Sequence, residues 1–326
     1  MTNLTLKERI EHRLKCFSFN AQVAHQIDGY SCDTFLLEVG AGVKINQIFG
    51  YRMDIANAAG VADVRILNSL IQYGDNSYIS VEINKKDRKP LIIDSLGLPS
   101  DGWKFPIGRD NFNNEVYWDI SNPSTPHLLV AGASGSGKSV ALTTIIECAK
   151  KKGMRVGILD PKFEFLHLSG RDGVDVINGQ DEVEAFMEKK VAEMDEIYKN
   201  KGATGNSGNK QLIIFDEASD CFTRQRRPGK GEEWKTLEDN TLLLSQKARS
   251  AGIHLVLSSQ RFSVKVMTGD AKANFSTRLC LTVASTVDSK VMLDVEGAEK
   301  LNGRGDALYR SPDMGEPLRI QTYMIA

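Results

Sequence analysis

The 326-residue sequence has little of several things that would narrow its class. Its five cysteines (Cys16, Cys32, Cys148, Cys221 and Cys280) include no CxxC pair. That removes the usual zinc-ligand spacing and a disulfide framework, and it points to a reduced, cytoplasmic chain. No apolar run approaches the roughly 18–20 residues that cross a bilayer. The opening MTNLTLKERIEHRLKC is charged and helical in pattern and has no apolar signal core. Charge of one sign is also missing, because 41 Lys and Arg stand against 42 Asp and Glu, a net charge of −1. No global basic field draws the chain to nucleic acid or a membrane, so any such contact must be local. No internal repeat of useful length is visible.

Hydrophobic residues make up 41% and charged residues 25%, a globular composition with enough length for one large domain or two ordinary ones. Residues 1–30 read as a helical segment. Residues 31–110 read as a small α+β domain of short alternating units. Prolines gather near its end (Pro90, Pro99, Pro106, Pro123 and Pro126), which suggests a connector, with GRDNFNNEVYWDIS as a hairpin. From 111 to 326 the pattern changes. HLLVAGA, MRVGILD, QLIIFDEA, IHLVLSSQ and RLCLTVA are continuous apolar runs, and helical stretches separate the earlier ones. That is the pattern of a mostly parallel sheet covered on both faces, whose ligands gather at the carboxyl ends of the strands.

GASGSGKS, from Gly132 through Ala133, Ser134, Gly135, Ser136, Gly137 and Lys138 to Ser139, follows such a strand and opens a helix. Its spacing is that of a phosphate-cradling loop. Glycines let backbone N–H groups face phosphate oxygens, and the helix N-terminus adds partial positive charge. Lys138 is expected on the β- and γ-phosphates, and the Ser139 hydroxyl on Mg²⁺. Asp216, at the end of LIIF, is the candidate metal-associated carboxylate. Glu217 beside it is the candidate base for the attacking water. Gln260, at the end of LVLSS, is the candidate group that senses the γ-phosphate or orients that water. Arg249 is a candidate finger for a neighbouring subunit's phosphate, and Arg278 is a second. Residues 261–290 hold five basic and two acidic side chains, a local excess of +3. The ordinary alternative for such a run is a solvated face.

PHLLVAGASGSGKS, the DPK at 160–162, the DEA at 216–218 and above all QKARSAGIHLVLSSQR together resemble the motor of FtsK/SpoIIIE-type double-stranded DNA translocases. KANFSTR, DSKVMLD and GAEKLNGRGDALY continue the likeness, which runs in order from about residue 33 to the end. The resemblance implies an α/β fold: a RecA-like P-loop ATPase core preceded by a small α+β domain. It implies ATP and Mg²⁺ as cofactors and a homo-oligomer in the form of a hexameric ring around double-stranded DNA. Arg249 would act on the neighbouring subunit, with Arg261, Lys272 and Lys290 lining the pore. Phe262 stands where the family has proline, and Thr286 where it often has lysine. The sequence departs from the family's full-length translocases, in which membrane segments, a long linker and a winged-helix domain accompany the motor, and a stand-alone motor is therefore expected. Such a motor suits genome packaging or mobile-element DNA, docked by a capsid portal or a membrane partner, in the cytoplasm of a bacterial or archaeal host. The expected activity is a DNA-stimulated ATPase that pumps DNA. The alternative is a nucleotide-regulated DNA clamp without processive movement. A peptide pump on the same core would need apolar pore grips, for which Phe262 is the one candidate.

Overall fold

A computed structural model describes residues 4–94, 97–100, 102–201, 209–222, 236–262 and 269–326. The basic stretch 223–235 and Lys265 lie outside the described residues. Helix α1 (Leu6–Cys16) starts on a capping box in which Thr5 and Glu8 satisfy each other's backbone N–H groups, and it buries Ile10 and Leu14. Strand β1 (Ala21–Asp28) follows, where residues 1–30 had read as helical. Only Ala21 and Val23 of β1 are buried, so its pattern is too sparsely apolar to announce a strand. Pairing with β2 (Cys32–Val39) supplies what the pattern lacks.

The small unit continues with α2 (Arg52–Ala59), β3 (Arg65–Ile66), β4 (Ile71–Tyr73) and β5 (Asn76–Asn84). Its antiparallel sheet runs β1-β2-β5-β3, with β4 also on β5. Ile10, Leu14, Phe35, Leu37, Ile55 and Val81 form its core.

The expected connector is part of the larger sheet. Strands β6 (Leu91–Ile93), β7 (Lys104–Asp110) and β8 (Glu115–Asp119) lie between the small unit and β9 (Leu128–Ala131). β7 and β8 form the expected hairpin, and Pro106 sits where their register shifts. An irregularity of this kind tolerates a residue without an N–H.

After β9 the chain forms α3 (Lys138–Lys151), β10 (Arg155–Leu159), β11 (Val174–Ile177), α4 (Gln180–Lys201), β12 (Gln211–Phe215) and α5 (Ala218–Phe222). It continues with α6 (Leu237–Lys247), β13 (Ile253–Ser259), α7 (Gly269–Asn274), β14 (Thr277–Leu281) and α8 (Thr286–Leu293), and closes with β15 (Asp306–Arg310) and β16 (Leu318–Ile325). Among the described residues the sheet order is β11-β10-β12-β13-β9-β14-β15-β16-β7-β8, with β6 on β16. It is parallel from β11 to β14 and antiparallel from β14 to β8. β6 and β7 both pair with β16, so the sheet expected within 111–326 reaches back to Leu91.

Both faces are covered, which is why these strands read as unbroken apolar runs. Leu128 and Val130 face one core with Leu142 and Ile145 of α3. Leu129 and Ala131 face the other with Met187 of α4 and Leu244 of α6. The two units are joined by a buried ionic cluster. Glu82 of β5 accepts from Arg319 of β16 at 3.2 Å and from Arg65 at 3.1 Å, and Arg319 donates to Asp306 at 2.7 Å. Buried charges of this kind are tolerable only when every one is paired.

Candidate nucleotide site

Strands β12, β13 and β9 are adjacent and parallel, so their carboxyl ends meet at one edge. Phe215 lies beside Leu257, and Ser259 beside Ala131. The next residue of each strand is therefore Asp216, Gln260 and Gly132. This register brings together three pieces far apart in sequence.

The loop from Gly132 to Ser139 turns back above β9. The Gly132 N–H donates to the Ser259 carbonyl at 3.2 Å, and the Ala133 N–H to Thr282 at 2.8 Å. Gly135 and Gly137 have φ of 76° and 104°, a left-handed backbone that glycine adopts without strain. Helix α3 begins at Lys138, so its first N–H groups have no intrahelical acceptor. The loop borders a cleft of about 1530 Å³ whose other wall includes Asp63 of the small unit and Arg88 of the link between β5 and β6.

Lys138 is buried, and its Nζ donates to Asp216 Oδ1 at 2.9 Å and to Ser258 Oγ at 3.0 Å. Burial raises the Asp216 carboxyl above its ordinary value against the pull of Lys138, and the carboxylates of Glu164 and Asp160 push it the same way. Its Oδ2 is buried without a partner among the described residues. An unpaired carboxylate oxygen among further carboxylates fits a divalent cation. The Ser139 hydroxyl donates to Glu164 Oε2 at 2.7 Å, so Glu164 belongs to the same locus. Sequence reasoning passed over Glu164, although it lies two residues beyond the quoted DPK.

Glu217 has a φ of 62° and a nearly buried side chain. Burial alone would raise its carboxyl. Hydrogen bonds from Ser259, from Lys162 at 3.0 Å and from the Gln260 N–H outweigh burial and hold it below the ordinary value. Gln260 reaches Glu217 through its backbone, while its exposed side chain lines the cleft. Lys162 and Ser259 are further residues of this site that the sequence reading left without a role.

Arg249 lies elsewhere. It precedes the amino end of β13, and its Nη1 donates to the Pro123 carbonyl at 3.0 Å. Seven residues of strand separate it from the P-loop edge, about 20 Å of rise. Arg278 is buried and donates to the carbonyls of Phe275, Met292 and Lys272 and to Asp294, which leaves it no freedom to act as a finger.

The basic run is more nearly neutral than it reads. Arg261 pairs with Asp288 at 2.7 Å, Lys272 with Asp294 at 2.5 Å and Lys290 with Glu296 at 2.8 Å. Counting on to 296 adds Asp294 and Glu296 to the five basic and two acidic residues, and the excess falls to +1. Arg261 and Lys290 keep 72% and 57% of their side chains exposed, Lys272 only 21%. Asp294 also holds Arg278 and Arg310, so Lys272 is part of a structural cluster. Phe262 is buried in the core with Leu257 and Phe275, which removes the one aromatic that a peptide channel would use.

Among the described residues no helix is long and apolar enough to cross a membrane. Residues 105–239 match the family described as "Helicase HerA, central domain", and residues 2–84 match the "FtsK alpha domain". DNA translocase FtsK of Clostridium acetobutylicum is 31% identical over 351 residues, covering 98% of this chain and 44% of that protein. DNA translocase FtsK of Caldanaerobacter subterraneus subsp. tengcongensis is 32% identical over 347 residues, covering 98% and 47%. The chain thus spans somewhat under half the length of these curated relatives. Among solved structures, the monomer of the pCW3 conjugation coupling protein TcpA with ATPγS has a TM-score of 0.65 at 20% identity, over 98% of this chain and 95% of that one. The cytoplasmic domain of the Thermomonospora curvata type VII secretion ATPase EccC has a TM-score of 0.59 at 21% identity, over 71% and 30%. These two likenesses concern the fold.

Proposed function

The chain belongs to the FtsK/HerA family of P-loop ATPases, and from that premise we propose that it is the motor of an ATP-driven double-stranded DNA translocase. The observation that carries this reading is the bond from the Gln260 N–H to Glu217, which ties the candidate base to the start of the basic segment.

ATP binds at the loop 132–139, and Lys138 leaves Asp216 for the β- and γ-phosphates. The departure removes one of the charges that hold Glu217 low, so the arrival of nucleotide makes Glu217 a better base. Glu217 then takes a proton from the attacking water, with the Gln260 amide positioned to orient that water. Mg²⁺, which Ser139 and Asp216 would hold, supplies neutralisation of the phosphate charge. The orphaned Asp216 Oδ2 supports that assignment.

Arg249 serves a neighbouring copy, because its own P-loop is at the far end of the strand. This favours a ring in which each nucleotide lies between subunits, a hexamer by analogy with the family. Arg261 and Lys290 contact DNA phosphates. Lys290 and Glu296 are both exposed, and the Arg261 guanidinium is accessible although its partner Asp288 is buried, so a phosphodiester can compete with the carboxylate for either cation. Lys272 would first have to leave Asp294. Ring symmetry repeats each contact around one duplex, which lets a near-neutral subunit grip it without reading sequence.

The test is steady-state ATP hydrolysis with and without long linear duplex at two salt concentrations. Stimulation that fades with salt is expected. Turnover indifferent to DNA at both salt concentrations would refute the DNA-motor reading.

A further inference from the structure

The roles assigned above leave unused a turn that lies directly against the P-loop. Gly303, Arg304 and Gly305 have φ of 70°, 48° and 86° in succession. An arginine disfavours this left-handed backbone, because its Cβ crowds the following carbonyl. The surroundings hold it there. The Gly303 N–H donates to Thr282 Oγ1 at 2.8 Å, and the Gly305 N–H to the Ser136 carbonyl at 2.7 Å. Gln321 Nε2 donates to the Arg304 carbonyl at 2.9 Å. From the link between β5 and β6, Arg88 donates to the carbonyls of Asn302 and Gly303 at 2.8 and 2.9 Å. The approach to the P-loop is close enough that a Cβ on Gly137 would fall 2.6 Å from the Gly305 nitrogen.

The backbone of the turn is thus tied down on several sides, while the Arg304 side chain is free. It is exposed, it lines the cleft, and it makes no hydrogen bond or ion pair among the described residues. Within the adjoining P-loop the Ser136 hydroxyl is 2% exposed and also without a partner among the described residues. Burial lowers the Arg88 guanidinium below its ordinary value. Asp306 opposes the lowering, and the charges of Arg319 and Arg304 add to it. An anion in the cleft would relieve that crowding of cations.

We propose that Arg304 is a nucleotide-binding residue acting in cis, its guanidinium contacting the phosphate chain of the nucleoside triphosphate held by the P-loop. A solvated surface arginine gains nothing from a strained backbone, and glycine would occupy this position without cost, as it does on both sides. A planar fork of N–H donors suits phosphate oxygens. Because Arg88 grips the same turn, the contact also links nucleotide occupancy to the junction with the small unit.

This inference rests on the P-loop reading, and the experiment separates the two. ATP and ADP affinities are measured by calorimetry for the wild type, Arg304→Ala, Arg304→Gly, Arg304→Lys and Lys138→Ala. Arg304→Ala and Arg304→Gly should each weaken binding about 10-fold, with Arg304→Lys intermediate. Arg304→Gly should also raise the unfolding midpoint of the nucleotide-free protein by about 2 °C, so the lost affinity is not lost folding. If Arg304→Gly binds ATP as tightly as the wild type, the proposal is wrong while the P-loop reading stands. If the wild type binds neither nucleotide, both are wrong.

Discussion

The Gln260 backbone N–H donates to Glu217 Oε1 at 3.0 Å, so the carboxylate that follows β12 is bonded to the residue that leads into Arg261. The Ser259 hydroxyl lies between them. It is placed to donate to Glu217 Oε1 or, at 3.0 Å, to the Arg261 carbonyl. One hydroxyl has one proton and can serve only one acceptor at a time. The Arg261 carbonyl also accepts from the Ser219 hydroxyl at 2.8 Å, and the Arg261 N–H donates to Ser259 Oγ at 3.2 Å, so Glu217 and the start of the basic segment share one hydrogen-bonded cluster.

Glu217→Gln should bind ATP and lose turnover by at least about 100-fold, the usual contribution of a general base. Because Glu217 is held below the ordinary glutamate value, it is ionised throughout pH 5 to 8. Wild-type kcat/KM, which reports the nucleotide-free enzyme, should show no acid limb from this group in that range. Quenched-flow hydrolysis with a parallel binding titration checks both statements, and an active glutamine variant would move the base elsewhere.

Ser259→Ala should cost DNA stimulation more than basal turnover, since it removes the shared proton and leaves Glu217 with its bonds from Lys162 and Gln260. The ratio of ATP turnover with and without duplex is the readout. Equal loss in both would make Ser259 only a support for Glu217.

Arg249→Ala should bind ATP normally and lose turnover. Mixing it with Lys138→Ala should restore part of the activity, because a finger from one subunit would complete the site of another. Activity of the mixture equal to the sum of its parts would return Arg249 to its visible role, a bond to Pro123.

His127 and His254 make folding sensitive to acid. Burial is the main cause that pushes His127 down to about 3 and His254 to about 4. The Leu255 N–H donates to His127 Nδ1 at 3.0 Å, which requires that nitrogen to be unprotonated. Unfolded histidine titrates near 6.5. Below that pH the unfolded chain binds more protons than the folded one, so stability falls as pH drops through 6.5 towards 4 and is flat above it. At pH 5 the two groups together should cost about 4 kcal/mol relative to pH 7.5. Urea unfolding at the two pH values measures it, and His127→Gln should flatten the dependence.

The nucleotide edge was legible because parallel strands place their chemistry at one end. Asp216, Gln260 and Gly132 follow continuous apolar runs that read as central strands, and so could be joined from the sequence. β1 was not legible, because with only Ala21 and Val23 buried it depends on β2 for its identity. Nor were the partners of the basic run, since Asp288 and Asp294 reach Arg261 and Lys272 only after α8 folds back beside β14. The bond between Glu82 and Arg319, 237 residues apart, has no sequence signal of any kind.

The central claim is that hydrolysis moves DNA rather than merely holding it. The most direct measurement is displacement of a triplex-forming strand from linear duplex, comparing the wild type with Glu217→Gln at saturating ATP. The account predicts ATP-dependent displacement by the wild type and none by the variant, although both bind the duplex. Duplex-stimulated hydrolysis without displacement would contradict it and leave a nucleotide-regulated clamp.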